Sequence, residues 1–148
     1  MIQRIQSVFL FASLCFMVPM LFIPVAVLAD EAGEIITFNL SGFYQNGVLA
    51  SKDWSLMLFG ILICALNLII LLMYKSRVFQ LRLCIYNILL LIGLTGVMLF
   101  VAYNVQNIES VSFRLPAVFP VVSAILHYLA FRGIRKDEMM VQALSRLR

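Results

Sequence analysis

Three polar side chains within long apolar stretches are the residues of this sequence that could do chemistry: Asn67, Asn87 and His127. Asn67 lies eight residues before Lys75, and Asn87 lies five residues after Arg82. These separations correspond to about 12 Å and about 7.5 Å along an α-helix, so the two amides reach a similar depth from one short basic turn. A buried amide in hydrocarbon needs hydrogen-bond partners. We therefore expect the three side chains to turn inward and to meet.

This polar cluster has two interpretations. It could be a polar relay or a ligand-binding site, in which His127 changes its charge near neutral pH. We favour the other interpretation, in which the three side chains are hydrogen-bonded contacts between helices, each worth about 0.6 and at most about 2 kcal/mol. An ion-coupled transporter normally needs an acidic residue inside the membrane, and every Asp and Glu here lies outside the apolar stretches.

The residue pattern gives little indication of catalysis, of metal or haem binding, or of disulfide bonds. The sequence contains no glycine-rich phosphate loop and no cluster of metal ligands, and one histidine cannot supply two axial ligands to a haem. Three cysteines at positions 15, 64 and 84 have no short-range pairing, so a disulfide framework is not indicated. We expect a protein that is not an enzyme and that carries no cofactor and no metal.

The elements that position the polar cluster are too apolar for a soluble domain. The chain has 148 residues, of which 64% are hydrophobic and 12% charged, against about 25% charged in an ordinary soluble domain. A soluble chain of this length could not bury so much apolar surface. The net charge of +4 does not indicate binding to nucleic acid, because the basic residues lie in small groups at the ends of the apolar stretches. Lipid is the solvent that these stretches require.

Four stretches are long enough to cross a bilayer as helices, which takes about 20 residues. The predicted helices cover residues 6–29, 54–74, 83–103 and 114–131. They predict an all-α membrane protein, a single domain over residues 1–148 built as a four-transmembrane-helix bundle. Pro19 and Pro24 should bend or loosen the first helix. A cleaved signal peptide is the alternative for this stretch, but its apolar run is longer than signal peptides usually have.

The first outer loop, residues 30–53, contains a strand signal. Residues 36–41 alternate apolar and polar side chains, as in a half-buried strand. Asn46-Gly47 suits a two-residue turn, and residues 48–50 could form the return strand. A short β-hairpin and an irregular loop are both compatible with this pattern.

The tail, residues 132–148, has an amphipathic pattern. Met140, Val141, Leu144 and Leu147 recur at helical spacing, with polar residues between them. This predicts a C-terminal amphipathic helix that lies on the membrane surface. The same apolar side could alternatively dock a cytoplasmic partner.

The basic residues predict which side each end of the chain occupies. Nine of the eleven Lys and Arg residues lie in the N-terminus, the turn at 75–82 and the tail. Because cytoplasmic loops are enriched in these residues, we expect both termini in the cytoplasm. Six of these side chains could contact anionic lipid head groups or a partner: Lys75, Arg77, Arg82, Arg132, Arg135 and Lys136.

Small residues in the predicted helices indicate close helix packing. Gly60 and Cys64 share one helical face with Asn67, which is typical of a close contact between helices. Gly93 and Gly96 predict a second close approach on the third helix, on a different side from Asn87.

Three segments of the chain are similar to a known family: residues 1–6, the turn from Tyr74 to Asn87, and the tail from Ile134 to Arg148. Together they resemble a family of small uncharacterised bacterial membrane proteins, a domain of unknown function typical of Bacteroidetes. The resemblance extends over the whole chain in length and number of apolar stretches. It implies a four-helix protein of the bacterial inner membrane and implies nothing about an activity.

Three hypotheses for function follow. The leading one is a non-enzymatic inner-membrane subunit or scaffold of a larger assembly, with one or more membrane-protein partners. The second is a small channel or transporter whose path passes Asn67, Asn87 and His127. The third is an accessory protein that binds lipid or quinone.

Overall fold

A computed structural model of the protein describes residues 2–30, 34–45, 47–52, 54–73, 76–104 and 108–146. Within them the helices are α1 (Ile2–Met20), α2 (Trp54–Leu72), α3 (Arg77–Asn104) and α4 (Phe119–Arg146). The strands are β1 (Ala26–Asp30), β2 (Ile35–Asn39), β3 (Gly42–Gln45), β4 (Val48–Lys52) and β5 (Ile108–Phe113). A short 3-10 helix, Leu115–Val118, leads into α4.

The five strands form one antiparallel sheet in the order β4-β3-β2-β1-β5, so the expected all-α fold is wrong. The first predicted helix, 6–29, is replaced by α1, a turn and β1. Pro19 and Pro24 explain this difference, because proline interrupts helical hydrogen bonding and also disfavours helix at the residue before it. An apolar run alone does not distinguish a buried strand from a helix, and Ala26–Asp30 forms a strand.

The sheet also differs from the single hairpin considered for the first loop. β3 lies between β2 and β4 and pairs with both, so the two segments predicted to pair do not touch as neighbours. Gly47 has a φ of +79°, which suits glycine in a tight turn, whereas Asn46 lies outside the described residues. The other edge strand, β5, comes from the loop before α4 and pairs with β1.

One face of the sheet packs on the helices. Ala26, Leu28 and Phe38 on this face are fully buried, and Phe38 stacks on Phe43 with ring centroids 4.8 Å apart. They share a core with the last turn of α1, the first half of α2 and the second half of α3. We call the end of the molecule that carries the sheet the sheet end. The opposite end, where α1 begins and α2 ends, is the tail end.

Three of the four helices are long and apolar enough to cross a membrane: Trp54–Leu72, Val78–Asn104 and Leu115–Ala143, the last including the 3-10 turn. The apolar part of α1, Ile5–Met20, is shorter. The turn between β2 and β3 and the turn after α1 both reach α2 at Gly60, because a Cβ atom on Gly60 would lie 3.0 Å from Leu40 and 2.7 Å from Leu21. The missing side chain at Gly60 therefore lets the β2–β3 turn pack against α2, about 9 Å along the helix from its first residue.

The tail is not a separate amphipathic helix, and this part of the fold prediction is wrong. α4 runs without interruption from Phe119 to Arg146 and includes most of the predicted tail. Its stretch Arg132–Lys136 carries one glycine and no proline, so nothing in the local sequence stops the helix. α4 therefore continues for about 20 Å beyond the predicted boundary at residue 131.

Candidate functional site: a buried polar cluster between the helices

Ser13 of α1 lies at the centre of a hydrogen-bonded cluster that links all four helices. Its Oγ accepts a hydrogen bond from Asn67 Nδ2 at 3.2 Å and lies 3.0 Å from His127 Nδ1. Asn87 Nδ2 lies 2.8 Å from His127 Nε2. Ser123 Oγ donates to the backbone carbonyl of Ser13 at 3.3 Å. The structure thus brings Asn67, Asn87 and His127 into one cluster, with Ser13 and Ser123 between them.

The backbone of α4 defines the tautomer of the histidine. His127 Nδ1 lies 2.9 Å from the carbonyl oxygen of Ser123, which can only accept a hydrogen bond. Nδ1 therefore carries the proton, and Nε2 accepts from Asn87 Nδ2. This assignment follows from the network of partners. Both ring nitrogens of a neutral imidazole are satisfied.

Every member of the cluster is buried, and none of its described hydrogen bonds involves a charged side chain. The side chains of Ser13, Asn67, Asn87, Ser123 and His127 are at most 1% exposed. The nearest described cations along the chain are Arg82 and Arg132, which are exposed and lie five residues, or about 7.5 Å, from Asn87 and His127.

Two acceptors in the cluster remain without partners among the described residues. They are the amide oxygens of Asn67 and Asn87. An unpaired buried amide oxygen costs about 1–3 kcal/mol. Each of these two oxygens could therefore accept a hydrogen bond from a group that enters the cluster.

A second polar contact ties α1 to α4 at the tail end. Gln6 Nε2 donates to Asp137 Oδ2 at 2.8 Å, and both side chains are at least nine-tenths buried. Gly133 makes room for this contact, because a Cβ atom there would lie 3.1 Å from Gln6 Cγ. α1 and α4 run antiparallel, since Phe16 packs on Phe119 with ring centroids 5.4 Å apart at the other end.

The predicted packing residues have different surroundings. Gly60 faces Leu21 and Leu40, which belong to turns rather than to another helix. Cys64 is half-buried and packs against the core. A Cβ on Gly93 would lie 3.6 Å from the ring of Phe59 on α2.

The fourth predicted packing residue, Gly96, is exposed. A Cβ atom there would meet no described heavy atom within 4 Å outside the neighbouring backbone of α3. Among the described residues, the close approach predicted for Gly96 is therefore not seen.

The basic residues predicted to meet lipid or a partner are exposed wherever their side chains are described. These are Arg82, Arg132, Arg135 and Lys136. Lys75 and the side chain of Arg77 lie outside the described residues. Among the residues that the structure describes, no group of three His, Cys, Asp or Glu side chains is placed to hold a metal ion.

Sequence reasoning missed Ser13, Ser123, Gln6 and Asp137. The spacing of Ser123 and His127, four residues apart on one helix, could have placed both on the same face. Ser13 gives no comparable signal, because its partners lie 54 and 114 residues away.

A four-helix protein with an antiparallel sheet at one end and a buried, uncharged polar cluster is the class that this geometry defines. Over residues 2–147 the chain matches the family model described as a domain of unknown function, DUF4293, and it belongs to that family. The expected resemblance to a family of unknown function is confirmed. No curated protein matches the chain.

Proposed function

We propose that this protein is a non-enzymatic, integral inner-membrane subunit or scaffold that binds a membrane-protein partner through the end of α4. The observation that carries the proposal is the exposure of Met139, Met140 and Val141, which are 54%, 44% and 49% exposed. All five described side chains of 139–143 are exposed, so this part of α4 has left the packing of the other helices. Contiguous exposed apolar residues at a helix end are typical of an interaction site.

The pattern of α4 indicates which side of this segment a partner would cover. Ile134 and Asp137 are buried against the rest of the chain, and Val141 follows at the same helical spacing. The side of α4 that packs against the rest of the chain therefore continues beyond Asp137, where it is exposed. Two methionines beside it supply flexible side chains that adapt to a partner surface.

The charges next to this segment support its placement in the cytoplasm. Arg132, Arg135 and Lys136 are exposed one to two turns before Met139. Such residues attract anionic head groups of the cytoplasmic leaflet. In this arrangement both termini are cytoplasmic, and the sheet end faces the opposite side of the membrane.

Replacing Met140 and Val141 together by Asp tests the proposal. In mild detergent, the wild-type chain is expected to elute with a second membrane protein at constant stoichiometry, and the double variant is expected to elute without it. Leu58→Asn, at an exposed position of α2, is the control that should keep the partner. A wild-type chain that elutes with no other protein, and that forms no crosslink from position 140 in native membranes, would defeat the proposal.

A channel or transporter is the second candidate, and it is favoured by the amide oxygens of Asn67 and Asn87, which have no hydrogen-bond partner in the part of the chain that the structure describes. Buried acceptors of this kind can hydrogen-bond a passing water or solute. Solute flux into liposomes that is unchanged by His127→Ala and by both Asn→Leu substitutions would remove this path. The absence of flux for every solute tested would remove the class.

A further inference from the structure

The helix α1 is too short to cross a membrane by itself. Its apolar part, Ile5–Met20, is about 24 Å long, whereas the hydrocarbon core of a bilayer is about 30 Å thick. The chain nevertheless carries no charged side chain over residues 5–29. The apolar stretch therefore continues beyond the helix, through residues 21–24, which we call the apolar turn, and through most of β1.

The contact at Gly60 shows how far along the helices the apolar turn lies. A Cβ atom on Gly60 would lie 2.7 Å from Leu21, the first residue of the turn. Gly60 is six residues after Trp54, which is about 9 Å along α2. Trp54 is 56% exposed at the start of a helix long enough to cross a membrane, and tryptophan is enriched at the boundary between membrane and water. With Trp54 at that boundary, Leu21 lies on its hydrocarbon side.

The backbone of the apolar turn suits hydrocarbon, where every N–H group needs a partner within the protein. The N–H groups of residues 21–23 donate to carbonyl oxygens in the last turn of α1, at 3.0 to 3.2 Å. Pro24 has no N–H group, and Val25 donates to the carbonyl of Phe38 at 2.8 Å. The strand that follows, β1, is paired on both sides, with β2 and with β5. Each N–H group from residue 21 to residue 25 therefore has a partner.

The side chains of the apolar turn are exposed. Phe22 is 74% exposed and Ile23 is 43% exposed. Next to the turn, the N–H of Arg114 donates to the carbonyl of Val25 at 2.8 Å, and Leu115 is 76% exposed. The exposed side chain of Arg114 is long enough to extend to lipid head groups while its backbone lies deeper. This surface is thus apolar around the turn and has a cation beside it.

We propose that the apolar turn is inserted into the acyl-chain layer of the membrane, so that α1, the turn and β1 together make the first crossing. This crossing is part helix and part strand, and acyl chains surround Phe22 and Ile23. Two separate lengths support it. The apolar part of α1 is about 6 Å shorter than the hydrocarbon core, and Leu21 meets α2 about 9 Å inside the level of Trp54.

The far end of the sheet provides a matched control. Val48 of β4 is 71% exposed, nearly as much as Phe22. It lies four residues, or about 13 Å, before Lys52 at the other end of the strand. Val48 pairs with Gln45, whose side chain contacts the exposed Glu34. We expect Val48 in water and Phe22 in lipid, although both are exposed apolar side chains.

Quenching of tryptophan fluorescence by lipids brominated on their acyl chains tests the proposal, with the full-length chain in liposomes. In a background with Trp54→Phe, Phe22→Trp is expected to lose most of its fluorescence in brominated lipid. Leu62→Trp, at an exposed position in the middle of α2, should behave in the same way. Val48→Trp should keep its fluorescence in brominated lipid and lose it to aqueous iodide.

Two different failures can be told apart in this experiment. Quenching of Phe22→Trp by iodide, or by neither agent, while Leu62→Trp is quenched by brominated lipid, would overturn the inserted turn alone. If Leu62→Trp is not quenched by brominated lipid, the membrane location on which the inference rests is wrong. The proposed partner of the α4 end plays no part in either result.

Cysteine labelling tests the turn in native membranes, even if a tryptophan variant does not fold. In a chain whose three native cysteines are replaced by Ala, Phe22→Cys should react with a water-soluble maleimide about tenfold more slowly than Val48→Cys. The reason is that a thiol in apolar surroundings does not form the reactive thiolate. Open membrane fragments expose both surfaces, so the comparison does not depend on the orientation of the chain. Equal rates would contradict the proposal.

Discussion

Replacing Ser13 by Ala probes the centre of the polar cluster. The hydroxyl is the acceptor for Asn67 Nδ2 at 3.2 Å and a neighbour of His127 Nδ1 at 3.0 Å. His127 would keep the carbonyl of Ser123 at 2.9 Å. Asn67 Nδ2 would lose Ser13 Oγ as its hydrogen-bond acceptor, and the amide oxygen of Asn67 already has no partner among the described residues. The main cost is therefore one buried amide left unpaired.

The magnitude follows from this geometry. Leaving a buried donor unsatisfied costs about 1–3 kcal/mol, and single hydrogen bonds measured inside membrane proteins average about 0.6 with a maximum of about 1.7 kcal/mol. We expect Ser13→Ala to lower the free energy of unfolding by about 1–2 kcal/mol. Ser55→Ala, at an exposed position of α2, should change it by less than about 0.5 kcal/mol.

Unfolding in mixed micelles of increasing sodium dodecyl sulfate content, followed by the fluorescence of the single Trp54, measures these differences. Adding Asn67→Leu to Ser13→Ala removes the stranded donor as well, so the double variant should be more stable than the sum of the two single changes predicts, by about 1 kcal/mol. If Ser13→Ala unfolds like the wild type, or if the two changes are additive, the hydrogen-bonded cluster does not stabilise the bundle.

Three further predictions concern close contacts and sidedness. Gly133→Val should push Gln6 away from its carboxylate partner and destabilise the chain by about 1–3 kcal/mol in the same unfolding assay, because its Cβ would lie 3.1 Å from Gln6 Cγ. Gly60→Val should lower the free energy of unfolding by a similar amount. Gly93→Ala should leave it nearly unchanged, because a Cβ atom at position 93 would make an ordinary 3.6 Å contact. Equal losses of stability in the two variants would refute this reasoning. Arg135→Cys, in a chain without other cysteines, should react with a membrane-impermeant maleimide only after the cells are permeabilised. Labelling of this cysteine in intact cells would contradict the proposed cytoplasmic position of the tail.

Parts of the fold could be predicted from residue pattern alone. The long apolar run of α2 begins at Trp54 both as predicted and as observed, because an uninterrupted stretch of that length has few alternatives to a helix. The structure of the first apolar run is harder to predict from the sequence. Pro19 and Pro24 end the helix, but residues 26–29 are as apolar as the helix before them, and it is pairing with β2 and β5 that makes them a strand rather than a second helix. β5 itself carries a detectable signal, since Val111-Ser112-Phe113 alternates in polarity.

Residue type and position by themselves determined that most of this chain's length lies in apolar stretches long enough for membrane-spanning helices, where those stretches lie, and that Asn67, Asn87 and His127 would each need a partner when buried. Those conclusions depend on composition and on distance along a helix, which are local properties. Only the tertiary structure decided that Ser13 joins the three side chains, that strands from two distant loops form one sheet, and that Gly96 faces open space. These depend on contacts between residues far apart in the chain, and no local pattern specifies such contacts.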